Sequence, residues 1–197
     1  MRIAVIDYKA GNLTSVMKGL AAAGAEPVVT GDPAQVAAAD AVVVPGVGHF
    51  AATVAIPGEM RVALRAGIAA GKPLLGICLG LQFLFEGSEE APDVPGLGAL
   101  DGRCVRLQGD LKIPHVGWNT LERRRDDALL SGVGDDAFAY FTHSYAAPVT
   151  DACVATTTYG DAFASVVARG RVFGVQFHPE KSGEDGMTIL RNFVALC

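Results

Sequence analysis

The stretch Leu74-Leu75-Gly76-Ile77-Cys78-Leu79-Gly80-Leu81-Gln82-Phe83-Leu84-Phe85 decides the fold. Its first part, Leu74–Ile77, is a short continuous apolar run, which is typical of a strand buried in a parallel sheet. Its second part, Leu79–Phe85, predicts a helix that Gly87 ends. Cys78 lies at the junction, in the pattern of a strand–turn–helix nucleophile elbow with cysteine in place of serine. Such a turn predicts a thiol at the carboxyl edge of the sheet, where open α/β folds bind their ligands.

The chain before this stretch alternates strand-like and helix-like segments. Asn12 precedes one predicted helix as a candidate N-cap, and Gly71 follows another as a stop signal. The predicted elements are a strand over Arg2–Asp7, a helix over Leu13–Ala23, a strand over Ala41–Val44 and a helix over Glu59–Ala70. This alternation predicts a parallel sheet with helices on both faces.

The second half of the chain has shorter and more closely spaced strand signals. Gly170 predicts a hairpin turn between the last two of them. The predicted strands are Arg103–Leu107, Phe138–Thr142, Ala152–Thr157, Ala162–Ala168 and Arg171–Phe177, and a closing helix is predicted over Met187–Leu196. We therefore expect a single α/β domain over residues 1–197, whose central, mostly parallel sheet carries added antiparallel strands.

Length, composition and charge exclude several classes of protein. The 197 residues are 50% hydrophobic and 19% charged, which excludes a disordered chain. The net charge of −5 gives no basic footprint for nucleic acid, and no apolar run approaches the roughly 18 residues of a membrane span. The four cysteines are too widely spaced for a disulfide framework, so we expect a reducing, cytoplasmic location.

A second chemical motif, Phe177-His178-Pro179-Glu180, follows the last predicted strand. This position places His178 at the same sheet edge as Cys78, where it can take the thiol proton and later give it to a leaving amine. Glu180 can orient the imidazole and stabilise its cation. Taken singly, Cys78 is compatible with an inert core cysteine and His178 with a loop histidine. Their combination favours a catalytic triad.

Together, Gly76–Gly80 and Phe177–Glu180 resemble the class I, or triad, glutamine amidotransferases. The resemblance implies a flavodoxin-like fold and hydrolysis of the side-chain amide of glutamine, with the ammonia delivered to a synthase. It assigns Cys78 as the nucleophile, His178 as the acid and base, and Glu180 as the residue that orients the histidine.

The resemblance also implies how the substrate is held. Pro45–Gly48 resembles the family's oxyanion strand, so the backbone N–H groups of Leu79 and of the Val47 and Gly48 region are the expected oxyanion hole. Glycine lets a peptide rotate, so this hole can form when substrate binds. The implied substrate-binding residues are Gly46, Gln82, Ser144 and Tyr145. No metal or cofactor is implied for this chain.

Three further segments resemble one subgroup of the family, whose members supply ammonia to a (β/α)8-barrel cyclase subunit in histidine biosynthesis. The segments are Asp7–Leu13, Ile113–Asn119 and Tyr140–Tyr145. The resemblance implies a heterodimer with such a cyclase, with the partner facing Asn12, Trp118, Tyr140 and Lys181. Lys9 replaces the glycine usual in this subgroup, and a positive φ at that position would strain a lysine.

Two other functions stay open on the sequence alone. The chain can be the glutaminase subunit of another synthase, such as pyridoxal phosphate synthase, although Pro114–Asn119 argues against this. It can also be a non-catalytic docking module, although the intact triad argues against that. His115 and His143 are interpreted as structural, since neither directly ends a strong apolar strand with an acid two residues away. His49 is interpreted as incidental.

Overall fold

The computed structural model describes all of residues 1–197, and in it the stretch at 74–85 forms a strand and a helix that meet at Cys78. The strands in chain order are β1 Arg2–Ile6, β2 Glu26–Thr30, β3 Ala41–Gly46, β4 Leu74–Cys78, β5 Gly87–Ser88, β6 Arg103–Arg106, β7 His115–Thr120, β8 Glu122–Arg123, β9 Phe138–His143, β10 Tyr145–Ala146, β11 Cys153–Tyr159, β12 Asp161–Arg169 and β13 Val172–Val175. The α-helices are α1 Leu13–Ala22, α2 Pro33–Ala38, α3 Gly58–Ala69, α4 Leu79–Leu84 and α5 Gly183–Ala195. Short 3₁₀ turns lie at Phe50–Ala55, Ala128–Leu130 and Pro179–Lys181.

An eight-stranded sheet forms the centre, with the strand order β2-β1-β3-β4-β13-β12-β11-β8. The first five of these strands pair in parallel, and β12, β11 and β8 extend the sheet in antiparallel fashion. Two small sheets, β10-β6-β5 and the antiparallel pair β7-β9, lie outside it. The mixed α/β architecture with added antiparallel strands is therefore confirmed.

Helices cover both faces of the central sheet. Successive residues of β1 alternate between two apolar cores, because neighbouring side chains of a strand point to opposite faces. Ile3 and Val5 pack in the core that holds α1 and α5, whereas Ala4 and Ile6 pack in the core that holds α2, α3 and α4. Since both faces are buried, the central strands are continuous apolar runs rather than alternating ones.

Six strands and helices were not predicted, namely β2, α2 and β7 and the two-residue strands β5, β8 and β10. Strand β2 lies at the edge of the sheet and contains Pro27, so it lacks a continuous apolar run. Helix α2 has only six residues, too few to show helical periodicity, although Asp32 caps it by accepting a bond from the Ala34 N–H at 2.9 Å. Strand β7 shares its residues with the Ile113–Asn119 motif, and its side chains mix apolar and polar types.

Most predicted boundaries differ from the structure by one or two residues, and α5 begins at Gly183 rather than Met187. Helix α4 ends at Leu84 rather than Phe85, and Gly87 lies in the following strand β5 instead of ending the helix. Strand β13 ends at Val175 rather than Phe177, so two residues separate it from His178. The predicted turn at Gly170 is present, with φ of 58° between β12 and β13.

The Asp7–Leu13 loop follows β1 at the carboxyl edge of the sheet. Lys9 has φ of 66°, in the left-handed region that glycine adopts without strain. The Asp7 carboxylate accepts bonds from the Lys9 backbone N–H and from its Nζ, each at 2.9 Å. These bonds lower the pKa of Asp7 and hold the lysine in its strained conformation. None of the helices has the length and apolar character needed to cross a membrane.

Candidate active site

The turn at Cys78 is a strained junction that glycines make possible. Cys78 has φ of 54° and ψ of −108°, a conformation that costs a residue with a side chain on the order of 1–3 kcal/mol. A Cβ on Gly76 would lie 2.6 Å from the Gly80 carbonyl oxygen, and a Cβ on Gly80 would collide with the Val44 carbonyl. Only glycine therefore allows α4 to start this close to the sheet, as the elbow pattern predicts.

The Cys78 side chain lies at the base of a cleft and is 4% exposed. The Gln176 Nε2 group lies 3.8 Å from Sγ, in a position to donate to it, and the Thr142 carbonyl oxygen lies 4.0 Å away. The sulfur is thus held from two sides by elements distant in sequence.

His178 and Glu180 form a buried pair on the 3₁₀ turn after β13. The imidazole Nδ1 lies 3.1 Å from the Glu180 Oε1 atom. Burial lowers the pKa of His178, but interaction with the Cys78 side chain and with the Glu180 carboxylate outweighs it, and the pKa rises to about 9. The other nitrogen, Nε2, is buried without a well-formed hydrogen bond. It is therefore available for proton transfer.

The turn that carries His178 is fastened to β9. The His178 N–H donates to the Tyr140 carbonyl at 3.0 Å, and the Tyr140 N–H donates to Ser182 Oγ at 2.9 Å. Ser182 Oγ in turn donates to the His178 carbonyl at 2.7 Å. These bonds fix the backbone of the histidine independently of its side chain.

The cleft above Cys78 is small and mostly polar. Its volume is about 30 Å³, which is room for one or two water molecules. The lining residues are Gly48, Cys78, Leu79, Gln82, Glu90, Thr142, His143, Ser144 and Tyr145. Six of these residues were predicted from the sequence as nucleophile, oxyanion-hole or substrate-binding residues: Gly48, Cys78, Leu79, Gln82, Ser144 and Tyr145.

Of the predicted oxyanion-hole and substrate-binding residues, two do not line the cleft. Gly46 lies behind the cleft, where a Cβ would collide with the Tyr8 hydroxyl and approach the Leu79 Cβ at 2.8 Å. Its lack of a side chain serves the close packing of β3 against α4. Val47 is partly exposed beside the cleft. The neighbouring Gly48 has φ of 93°, a conformation open to glycine.

Gln82 is buried and holds the wall of the cleft. Its Nε2 group donates to the Tyr145 carbonyl at 2.7 Å and to Gln176 Oε1 at 3.3 Å. The amide therefore links α4 to the segment that carries Ser144 and Tyr145.

Sequence reasoning missed Glu90 and Gln176. Glu90 lines the cleft, and its Oε2 atom accepts a bond from the Phe50 N–H at 2.7 Å. Gln176 reaches Cys78 from the residue after β13. Neither belongs to a motif with local spacing, since the fold brings both to Cys78 from distant parts of the chain. The only indication in the sequence that Gln176 lies at the active site was its position two residues before His178.

Three of the four predicted partner-facing residues lie together on the surface. Trp118 is 56% exposed, so it is not a core residue. Its ring meets that of Tyr140 at 6.1 Å and 71°, and Lys181 Nζ lies 5.9 Å from the Tyr140 ring centre. Asn12 instead caps α1, where its Oδ1 atom accepts a bond from the Ser15 N–H.

The other histidines differ sharply in exposure. His115 and His143 are buried, with 3.3 Å between His115 Nδ1 and His143 Nε2. His49 is exposed and its Nδ1 atom accepts a bond from the Ala51 N–H.

Comparisons with known proteins agree with this site. The family described as glutamine amidotransferase class-I matches residues 4–197. The "Imidazole glycerol phosphate synthase subunit HisH" of Natronomonas pharaonis is 50% identical, over 99% of this chain and 94% of that protein. The protein of the same name from Thermococcus kodakarensis is 47% identical, over 97% and 98%.

Solved structures agree on the fold. The structure of PurLQS from Thermotoga maritima superposes with a TM-score of 0.76 at 20% identity, covering 99% of this chain and 98% of that one. A further structure titled "Crystal structure of glutamine amidotransferase" gives a TM-score of 0.77 at 20% identity, covering 98% and 97%. The matched residues, the full-length relatives and the shared fold show that this chain belongs to the class I glutamine amidotransferase family.

Proposed function

We propose that this chain is the glutaminase subunit of an imidazole glycerol phosphate synthase, which hydrolyses L-glutamine to glutamate and ammonia. The observation that carries the proposal is the strained Cys78 turn beside the buried His178–Glu180 pair. Relatives at 47–50% identity over nearly the full chain bear the name of this subunit, which favours it over the glutaminase subunit of another synthase. The intact triad geometry argues against a non-catalytic docking module.

The arrangement supports a thioester mechanism. The Cys78 thiolate attacks the amide carbon of glutamine, and the carbonyl electrons move to the oxygen. The His178 imidazolium then gives its proton to the departing nitrogen, which leaves as ammonia, and a γ-glutamyl thioester remains on Cys78. A water molecule, deprotonated by His178, attacks the thioester and releases glutamate.

Backbone N–H groups would stabilise the negative oxygen. Leu79, at the start of α4, offers one, and the Val47–Gly48 peptide can offer the second by rotating about Gly48. Loss of one such donor typically costs about 2.7–4 kcal/mol in the transition state. Binding of substrate or partner would favour the rotated state.

Glutamine would be held by polar groups of the cleft. The Glu90 carboxylate offers a counter-charge for the α-ammonium group. Ser144 and Tyr145 line the wall that Gln82 fastens to α4.

The ammonia would pass to a (β/α)8-barrel cyclase subunit in a heterodimer. The partner uses it to form imidazole glycerol phosphate and aminoimidazole carboxamide ribonucleotide. The exposed face of β7–β9, which carries Val116, Trp118, Phe138 and Tyr140, suits such a partner because large apolar side chains there face the surrounding water. Free ammonia is mostly protonated at neutral pH, so direct transfer preserves its nucleophilic form. All four cysteines are free thiols, which fits a reducing cytoplasm.

The test is glutamate release from glutamine in three mixtures. They contain this chain alone, the chain with the cyclase from the same organism, and the chain with that cyclase and its nucleotide substrate. We expect a large rise in the last mixture, abolished by Cys78→Ala. A flat result in a confirmed complex would overturn the assignment to this synthase.

A further inference from the structure

A line of hydrogen bonds connects four residues beneath the exposed face of β7–β9. Asn119 Nδ2 lies 3.4 Å from His115 Nε2. His115 Nδ1 lies 3.3 Å from His143 Nε2, and His143 Nδ1 lies 3.0 Å from the Tyr145 carbonyl oxygen. Both histidines are buried, so water does not compete for these bonds.

The line has the Asn119 amide at one end and the Tyr145 carbonyl at the other, and these two groups determine which atoms along it donate and which accept. A carbonyl oxygen only accepts, so His143 Nδ1 carries a proton and its Nε2, in the neutral ring, is an acceptor. His115 must then donate from Nδ1 and accept at Nε2. His115 Nε2 accepts a hydrogen bond from the Asn119 amide NH₂ group. In their neutral form, both rings therefore carry the proton on Nδ1.

The orientation of the Asn119 amide agrees with this assignment. Its Oδ1 atom accepts a bond from the Thr120 N–H at 2.8 Å, so the NH₂ group points the other way. One of its N–H bonds is directed to the Thr158 carbonyl at 3.0 Å, which leaves the other for His115. Every polar atom of the line has a partner of the right kind.

Burial and packing keep the rings neutral and in place. Burial lowers the pKa of His115, and burial together with the neighbouring histidines lowers the pKa of His143 to about 3, against the opposing effect of the Tyr145 carbonyl. The His115 ring is stacked on Tyr159 at 4.0 Å and on Phe141 at 5.0 Å. Stacking on both faces prevents the imidazole from turning away from its partners.

The line continues to the nucleophile. The Tyr145 carbonyl, which ends it, also accepts the bond from Gln82 Nε2. Gln82 donates to Gln176 Oε1, and the Gln176 Nε2 group faces Cys78 Sγ. A displaced Tyr145 carbonyl would therefore move the Gln82 amide and, through it, the Gln176 amide that lies against the sulfur.

We infer that His115 and His143 are positioning residues of the glutaminase, a neutral histidine pair that fixes the Tyr145 carbonyl and, through Gln82 and Gln176, the surroundings of Cys78. The inference rests on the proposed function, and it deepens that function. It gives a role in catalysis to His115, which lies outside the cleft, and to His143, which lines it. It also explains why two imidazoles are packed among aromatic rings where apolar side chains would pack as well.

The first test is spectroscopic and needs no activity. Nitrogen-15 NMR of the histidine side chains at pH 7.5 distinguishes the two neutral tautomers and the cation. We expect His115 and His143 to be neutral with the proton on Nδ1. A proton on Nε2 of either ring, or a charged ring, overturns the assignment. Because this measurement does not depend on glutamine hydrolysis, it separates failure of the inference from failure of the proposed function.

The second test measures glutamine hydrolysis in the complex with the cyclase and its nucleotide substrate. His143→Phe keeps a buried ring but removes the donor to Tyr145, and we expect kcat/KM for glutamine to fall roughly tenfold or more. His143→Asn places an amide N–H near the position of Nδ1, so it should recover most of that loss. Equal activities for His143→Phe and His143→Asn, or full activity of His143→Phe, would overturn the inference.

A matched control comes from a neighbour of the same rings. Tyr159→Phe retains the stacking on His115 but removes the hydrogen bond from its hydroxyl to the Lys112 carbonyl, which is outside the line. It should leave kcat/KM within about twofold of the parent. A comparable loss of kcat/KM in Tyr159→Phe would mean that the loss in His143→Phe results from general destabilisation of the protein.

Discussion

The Nδ1 atom of His178 lies 3.1 Å from Oε1 of Glu180, and the two side chains are only 3% and 2% exposed. With Nδ1 bound to the carboxylate, Nε2 is the nitrogen left for Cys78 and the substrate. We predict that Glu180→Gln lowers kcat for glutamine hydrolysis by about 10²–10⁴-fold, because an amide can also donate to Nδ1 and so select the wrong tautomer. Steady-state glutamate release in the cyclase complex measures this. A loss below threefold would remove Glu180 from the mechanism.

The raised pKa of His178 predicts the alkaline limit of activity. Cys78 and Glu180 favour the charged ring, so His178 stays protonated until the pH passes about 9. The imidazolium is the acid that protonates the departing nitrogen, so kcat/KM should fall as the pH rises through this value. Glu180→Gln removes one of the two stabilising groups and should move the fall to lower pH. A profile with the same alkaline limit in both proteins would contradict this explanation.

The backbone strain at Cys78 predicts an unusual order of stability. Replacing alanine by glycine usually destabilises a folded protein by about 0.5–1 kcal/mol. At φ of 54° and ψ of −108° the order should reverse, with Cys78→Gly more stable than Cys78→Ala by about 1 kcal/mol. Chemical denaturation of both variants gives the difference in unfolding free energy. The same pair at the exposed helical residue Ala66 should show the ordinary order.

Because the ring of Trp118 is exposed, we predict that its removal weakens binding to the partner but has little effect on the free energy of unfolding. Trp118→Ala should weaken the complex with the cyclase about thirtyfold, as expected for an aromatic residue at the centre of an interface. The unfolding free energy should change by less than about 1 kcal/mol, because the ring is 56% exposed. Titration calorimetry and denaturation measure the two quantities. Val62→Ala, on exposed helix α3, is the control that should leave binding unchanged.

Sequence reasoning succeeded where chemistry and backbone geometry are local. The Cys78 elbow is marked by a pattern of five residues, and the contact that excludes a side chain at Gly76 is with Gly80 within that pattern. His178 and Glu180 are two residues apart and meet directly. Lys9 was expected to be strained if its φ were positive, and its φ is 66°.

Sequence reasoning failed where residues meet only through the fold. Glu90 reaches the cleft from a loop between two short strands. No motif in the sequence indicates that this carboxylate lines the same cleft as Cys78. The His115–His143 pair is joined by the register of β7 against β9, in which the two residues are direct partners. Strand β2 depends on β1 for its conformation, since its own residues have no continuous apolar run.

The backbone bonds between Tyr140 and the His178–Ser182 turn have a consequence for evolution. They use the Tyr140 N–H and carbonyl groups, whereas the ring of Tyr140 projects beside Trp118 at the surface. Substitutions of either ring therefore leave in place the backbone bonds that carry the histidine. Natural selection or a protein engineer can therefore vary the surface proposed for the ammonia acceptor while retaining the backbone bonds that hold the His178 turn.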